Sequence, residues 1–536
     1  MRSVMTPQQQ FAAIEKPQIQ RSTFDRSHGY KTTFDAGQLI PFYVDEALPG
    51  DTFNCSTNIF GRLATPLKPV MDNMFIDVHY FSVPIRLLWD NWKKFNGEQR
   101  NPADSTNFIM PTITSPTGGY AESSIYDYMG IPTKVAGLEH RADFLRAYNL
   151  IYNEWFRDEN LQNSVVNHVD NGPDTYTDYI ILPRGKRKDY FTSALPWAQK
   201  ATPVSIPIGT QAPLVGLAPI NRIANASYWD VYDENTNTKS GAATISSAPN
   251  GRLGNGVVSV SLDPRGQAAA NLAGSGIYAD LSSATAATIN QLREAFQIQR
   301  MYERDARGGT RYTELIQSHF GVISPDARLQ RPEYLGGGTA PINVNPIAQT
   351  APEAAGTTPQ GNLAAMGTFS MSSKGFTKSF TEHEIIIGLA SARADLNYQQ
   401  GLNRMWSRST RFDFFWPSLA HLGEQAILNK ELYAQGTSAD DNVFGYQERY
   451  AEYRYKPSQV TALFRSNATA SLDVWHLSQE FSSLPALNSA FIVENPPIDR
   501  IIAVPAEPQF IMDVFLKLVC ARPMPTYATP GLIDHF

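Results

Sequence analysis

Three stretches of this 536-residue chain interleave cations with aromatic rings. Gly185–Phe191 sets Lys186, Arg187 and Lys188 beside Tyr190 and Phe191. Arg404–Trp416 holds Arg404, Arg408 and Arg411 among Trp406, Phe412, Phe414, Phe415 and Trp416. Tyr446–Lys456 mixes Arg449, Arg454 and Lys456 with Tyr446, Tyr450, Tyr453 and Tyr455. Cations that neutralise phosphates, next to rings that stack on bases, are how single-stranded nucleic acid is held. Arg among aromatics is equally the composition of protein–protein interfaces. The second and third stretches therefore read first as interface or core. Their interface candidates are Trp406, Arg408, Arg411, Phe415, Trp416, Tyr450, Tyr453 and Tyr455. Lys186–Lys188 leans toward phosphate, with a solvated loop as the competing reading.

Motifs for catalysis are mostly absent. There is no G-x-x-x-x-G-K-[ST] loop, no dinucleotide fingerprint after a strand, no G-x-S-x-G elbow and no H-E-x-x-H. The nine histidines are spread so that no two lie within ten residues, which gives no local metal-ligand spacing. Glu382-His383-Glu384 has acid–base chemistry but reads as an exposed strand or helix end. The expectation is a protein without catalysis, cofactor or metal. A carbohydrate-active β-sandwich would need a close carboxylate pair, and 51 acidic residues leave that pair unnamed.

Composition narrows the class. Charged residues make up 18% against about 25% in an ordinary soluble chain, and aromatics 11%. A surface poor in charge and rich in rings suggests partners covering it. The net charge of −6 argues against a uniformly basic nucleic-acid coat but not against a local patch. Cys55 and Cys520 are too few for a disulfide framework and read as buried thiols. No secretory h-region and no apolar run long enough to span a membrane is visible. The length fits several domains or one elaborated fold with large insertions.

Residues 1–31 form a Gln-rich arm with Arg2, Lys16, Arg21, Arg26 and Lys31 against Glu15 and Asp25. It has no strong period. It reads as extended or partly mobile, either a frayed terminus or an arm reaching a neighbour or an anionic polymer. Asp51–Phe60 and Met74–Pro84 carry strand signals. Leu145, Tyr148, Tyr152 and Trp155 mark one face of a helix over about Leu138–Asp158. Residues 201–290 hold only nine charges in a matrix of Ala, Gly, Ser, Thr and Asn. They read as a surface insertion with short strands, anchored by residues such as Tyr228 and Trp229. A second helix starts near Thr288 with a T-x-x-Q capping box and a buried face of Ile289, Leu292 and Phe296. Leu335–Leu363, with Gly336, Gly337 and Gly338 in a row, reads as a loop lying across another surface. Leu472–Leu477, Arg500–Val504 and Gln509–Cys520 read as strands, the last with Phe510, Met512, Val514, Leu516 and Leu518 on one face. Strands near both ends fit one β-sandwich closed by distant segments.

Several segments carry family wording. Phe24–Phe42 (FDRSHGYKTTFDAGQLIPF), Thr65–Phe95, Asp189–Gln199 and Arg331–Gly338 do so, as do Tyr398–Phe415, Glu494–Arg500 and Arg522–Phe536. Together they closely resemble the major capsid protein of gokushoviruses, small single-stranded DNA phages of the microvirus family. The match spans most of the chain outside 201–290.

The resemblance implies an all-β fold: an eight-stranded antiparallel jelly roll with long insertion loops and a few helices. The jelly roll would take residues 32–200 and 291–536. It also implies sixty copies in a T=1 icosahedral shell around a circular single-stranded DNA genome. Residues 201–290 would form a threefold protrusion used in host attachment, with Tyr228, Trp229 and Tyr232 as protrusion candidates. Arg2, Lys16, Arg21, Arg26, Lys186, Arg187 and Lys188 become DNA-contact candidates. The implied partners are other copies of the chain, the genome, other virion proteins and a host receptor, in a virion assembled in bacterial cytoplasm. The competing reading is a trimeric β-sandwich attachment or glycan-binding protein without a shell.

Overall fold

The computed structural model describes residues 20–198, 200, 289–322, 330–351 and 359–527, with seven short strands between 214 and 279. Nine strands build its main sheet: β1 (Ser22–Asp25), β2 (His28–Phe34), β3 (Ile40–Ala47), β4 (Thr52–Leu63), β5 (Met74–Pro84), β6 (Glu333–Ala348), β7 (Leu363–Ser379), β8 (Glu384–Ala394) and β9 (Phe510–Arg522). Their order is β1-β9-β4-β7-β6-β5-β8-β3, with β2 also on β9. Every pairing is antiparallel.

Two long strands fold this sheet into two layers. In β6, Glu333–Ile342 pairs with β5 and Ile342–Ala348 with β7. In β7, Leu363–Phe369 pairs with β6 and Thr368–Ser379 with β4. One layer is β1/β2, β9, β4 and β7; the other is β6, β5, β8 and β3. Alternation turns one side of each strand inward. Phe34, Phe53, Ile59, Met512, Val514 and Leu516 of the first layer meet Ile76, Val78, Tyr80 and Ile386 of the second in one core. This is the eight-stranded antiparallel jelly roll, with its first strand broken between Asp25 and His28.

The two layers differ in their outer faces. Every residue of β8 is buried, because a second core covers that layer from outside. The cover is the segment after β5, whose helix α1 (Asp143–Ile151) packs Leu145, Tyr148 and Ile151 against Phe81, Val83, Ile385 and Ile387. Arg146 ties the cover together. It is buried, donates to Asp174 and to the carbonyls of Leu88 and Asp170, and Tyr179 adds a bond to Asp174 at 2.5 Å. The β9–β4 layer carries alternating buried and exposed residues, as a strand with one open face should.

Several segments depart from their sequence reading. The second half of the basic arm is strand in the main sheet, because β1 and β2 both find partners on β9. The expected helix over Leu138–Asp158 is shorter. Glu139–Arg141 pairs with Thr112–Thr114, and a π-helical turn at Tyr152–Phe156 follows α1. Of the expected loop Leu335–Leu363, Leu335–Ala348 is strand, most of β6, and Leu363 opens β7, while residues 352–358 lie outside the described residues. Its glycines serve close approach: a Cβ on Gly337 would lie 2.1 Å from the Val78 carbonyl oxygen. Leu472–Leu477 and Arg500–Val504 are not paired strands. 3-10 turns stand at Asp473–Trp475 and Ile498–Arg500; Leu477, Ile501 and Ile502 are buried without a ladder, while Leu472 and Val504 are exposed. Gln509–Cys520 is β9 with the inward face read from its alternation. Cys55 and Cys520 are both buried free thiols, and burial pushes the Cys55 thiol up to about 11.

The chain divides into two compact units, Gln199–Arg304 and the remainder. Within the first, Ala226–Tyr232 pairs with Lys239–Thr244 and with Arg222–Ile223. Tyr228, Trp229 and Tyr232 lie on that strand; their side chains are outside the described residues. Helix α2 (Ile289–Gly308) begins as expected, but Phe296, read as part of its buried face, is exposed. Thr288 of the expected capping box lies outside the described residues. Among the described residues no helix is long and apolar enough to cross a membrane.

Candidate assembly surface

The Lys186–Lys188 cluster is largely spent within its own chain. Lys186 donates to Gln479 Oε1 at 2.8 Å and to the Phe491 carbonyl at 2.7 Å, and sits 4.8 Å from the Phe491 ring centre. Burial lowers its pKa to about 8, against the pull of Glu494. Arg187 pairs with Asp395 at 3.1 Å and Lys188 with Asp158. In the arm, Arg26 forms a fork with Asp45 at 2.7 and 2.9 Å, while exposed Arg21 donates to Thr52. Arg2 and Lys16 lie outside the described residues.

Glu382-His383-Glu384 is structural. Glu382 pairs with Arg86, His383 meets the Trp92 ring edge-on at 5.4 Å, and Glu384 is buried beside Lys378. Folding also brings together a set that histidine spacing alone did not indicate. His168, Asp170 and Asp174 place ligand-type atoms within 4.8 Å of one another. Asp174 already gives both oxygens to Arg146 and Tyr179, and His168 is 2.9 Å from Asp178. A guanidinium occupies the place a cation would take.

The two Arg–aromatic stretches come together as one layer. Tyr450 donates its hydroxyl to the Phe412 carbonyl at 3.0 Å, and Arg449 donates to the same oxygen at 2.9 Å. Arg408 lies 4.1 Å from the Tyr453 ring centre and 3.2 Å from Glu452. Arg411 lies 4.6 Å from the Trp416 ring centre, and Phe415 meets Tyr450 edge-on at 5.4 Å. Arg404 anchors the base to Glu431 at 2.9 Å. Asp413 closes the turn. It accepts from Ser409 and Thr410 backbone and from the Thr410 hydroxyl, and these bonds lower its pKa to about 2.

Most rings of this braced layer face solvent. Trp406 is 72% and Phe412 64% exposed, and Phe415, Trp416, Tyr453 and Tyr455 are also exposed. Tyr450, named above with the interface candidates, is 4% exposed and packs inside its own chain. Arg408 is mostly covered; Arg411 is exposed. Phe412 and Phe414 of the same run, and neighbouring Met405, are exposed in the same layer. Clustered exposed apolar side chains are the kind of surface that partners cover. Its bracing means little ordering cost on contact.

Jelly roll and braced aromatic surface together define a structural, partner-binding β protein. Comparison then gives the family. The model of the phage capsid protein family (F protein) matches residues 12–532. The chain is 50% identical to capsid protein VP1 of Bdellovibrio phage phiMH2K, covering 99% of this chain and 98% of that one. It is 46% identical to VP1 of Chlamydia phage 1 and 36% identical to VP1 of Spiroplasma virus 4, each over 97% of both chains. The chain belongs to this family of microvirus capsid proteins, and the gokushovirus resemblance is borne out.

Proposed function

We propose that the chain is the major shell subunit of a microvirus. Sixty copies close a T=1 icosahedral shell around a circular single-stranded DNA genome in the host cytoplasm. The exposed aromatic layer of Trp406, Phe412, Phe415, Trp416, Tyr453 and Tyr455 carries the reading, as a contact between copies. A standard interface buries about 1,600 Å2, and at about 25 cal/mol per Å2 of apolar area many repeated contacts hold a shell although each is modest. Exposed Arg21 offers a cation to the genome, with Arg2 and Lys16 of the arm; Arg187 and Lys188, exposed but paired with Asp395 and Asp158, would exchange those partners for phosphate. Residues 201–290, with Tyr228, Trp229 and Tyr232, form a threefold protrusion for host attachment.

Electron microscopy of the purified full-length protein, with other virion proteins supplied where closure needs them, tests this directly. Uniform icosahedral particles with the mass of sixty chains are expected. A compact trimer or monomer under every such condition would sink the reading and favour the attachment protein. The double change Trp406→Ala with Phe412→Ala should leave the chain folded and cut particle yield at least tenfold. Loss of two exposed rings from an interface centre costs about 2 kcal/mol or more.

A further inference from the structure

Among the described residues one sheet face of the jelly roll is largely open, bordered by Ser123–Tyr128, and it is built differently from an ordinary wet surface. Solvent-facing positions on β9 are Ile511, Asp513, Phe515 and Lys517; on β4 they include Asn58, Phe60 and Arg62. Register places Phe60 across from Asp513, Phe515 across from Asn58, and Ile511 across from Arg62. Phe60 therefore has Phe515 and Ile511 as its diagonal neighbours, about 7–8 Å away. They are 54%, 49% and 58% exposed. Single exposed apolar residues are ordinary, but three adjoining ones at the centre of a sheet are not.

The charges around them favour an anion. Lys31 on β2 is paired with Asp513 at 2.8 Å. Asp25 accepts from Ser27 backbone and hydroxyl at 3.0 and 2.5 Å. Arg21, Arg62 and Lys517 have no ion-pair partner within 4 Å among the described residues. Asp127 also borders Phe60, Arg62 and Ile511, so what the face offers an anion is Arg62 and Lys517 beside the rings, with Arg21 at the far end of the sheet. Exposed rings on the open face of an antiparallel sheet, flanked by cations and amides, form a stacking platform for unpaired bases.

We propose that this face, centred on Phe60 and Phe515 and flanked by Arg62 and Lys517, binds single-stranded DNA. It deepens the shell reading and rests on it for the source of that DNA, but the contact is testable on the unassembled chain. The full-length protein is irradiated with an oligothymidine of about 20 nucleotides carrying 5-iodouracil, and crosslinked peptides are mapped. Crosslinks at Phe60 or Phe515 are expected. Phe60→Ala with Phe515→Ala should weaken binding about tenfold or more. Arg62→Gln with Lys517→Gln should lower the salt slope of log K by about 1.4, at about 0.7 per phosphate contact on a single strand. Both pairs are exposed, and unchanged circular dichroism checks their fold. Crosslinks confined to other segments, or unchanged affinity and salt slope in both variants, would overturn the proposal. So would a ring variant that lost self-association while still binding DNA, since the face would then be a protein contact. Failure of the wild-type chain to form particles would count against the shell reading alone; the crosslink positions would still decide this one.

Discussion

His79 sits on β5 between the rings of Phe81, Phe156 and Tyr334, and its buried Nε2 has no hydrogen-bond partner. Burial, with Arg184 nearby, lowers its pKa to about 4. Between about pH 6.5 and 4 the unfolded chain therefore holds a proton that the folded chain refuses. Stability present above pH 6.5 is lost as pH falls through that window. His79→Phe should flatten this part of the acid limb, by on the order of 1–3 kcal/mol, in denaturant melts of the unassembled chain at pH 7 and pH 4.5. At this scale the sequence revealed side-chain types but not their engagement. Lys186, Arg187 and Lys188 looked free because their partners Gln479, Asp395 and Asp158 lie far along the chain. The exposed rings at 404–416 were legible, since a dense run of aromatics beside Arg has few other uses.

Strands β9 and β6 mark the limits of pattern reading. Alternation in β9 is unbroken, so its inward face was visible from residue types alone. In β6, glycines and prolines mimic a loop. Yet Pro341 lies where only β5 pairs with the strand and Pro346 where only β7 does, so each has one edge free of a ladder. Leu472–Leu477 errs the other way, because short apolar runs are buried equally well as turns. The close contact at Gly337 gives a test. A Cβ there meets the Val78 carbonyl oxygen, so Gly337→Ala should cost about 1–3 kcal/mol in urea unfolding. Gly118→Ala, with nothing within 4 Å of the added atom, should stay within about 0.5 kcal/mol.

Across the whole molecule, the main sheet draws all its strands from outside Gln199–Arg304. Replacing residues 205–285 by a short Gly/Ser linker should preserve the β-sheet circular dichroism and a cooperative melt. Global unfolding of that deletion would mean the jelly roll needs the segment. The sheet's connectivity has a consequence for how the chain is made. β9, the last of the described strands, is not an edge strand; it lies between β1/β2, the first of them, and β4. Until β9 is present, β1 and β2 have no partner in the sheet and β4 has only β7, so a product cut before Phe510 is left with a gap in its sheet. Closure of the sheet therefore waits for Phe510–Arg522, whichever strands have paired before it.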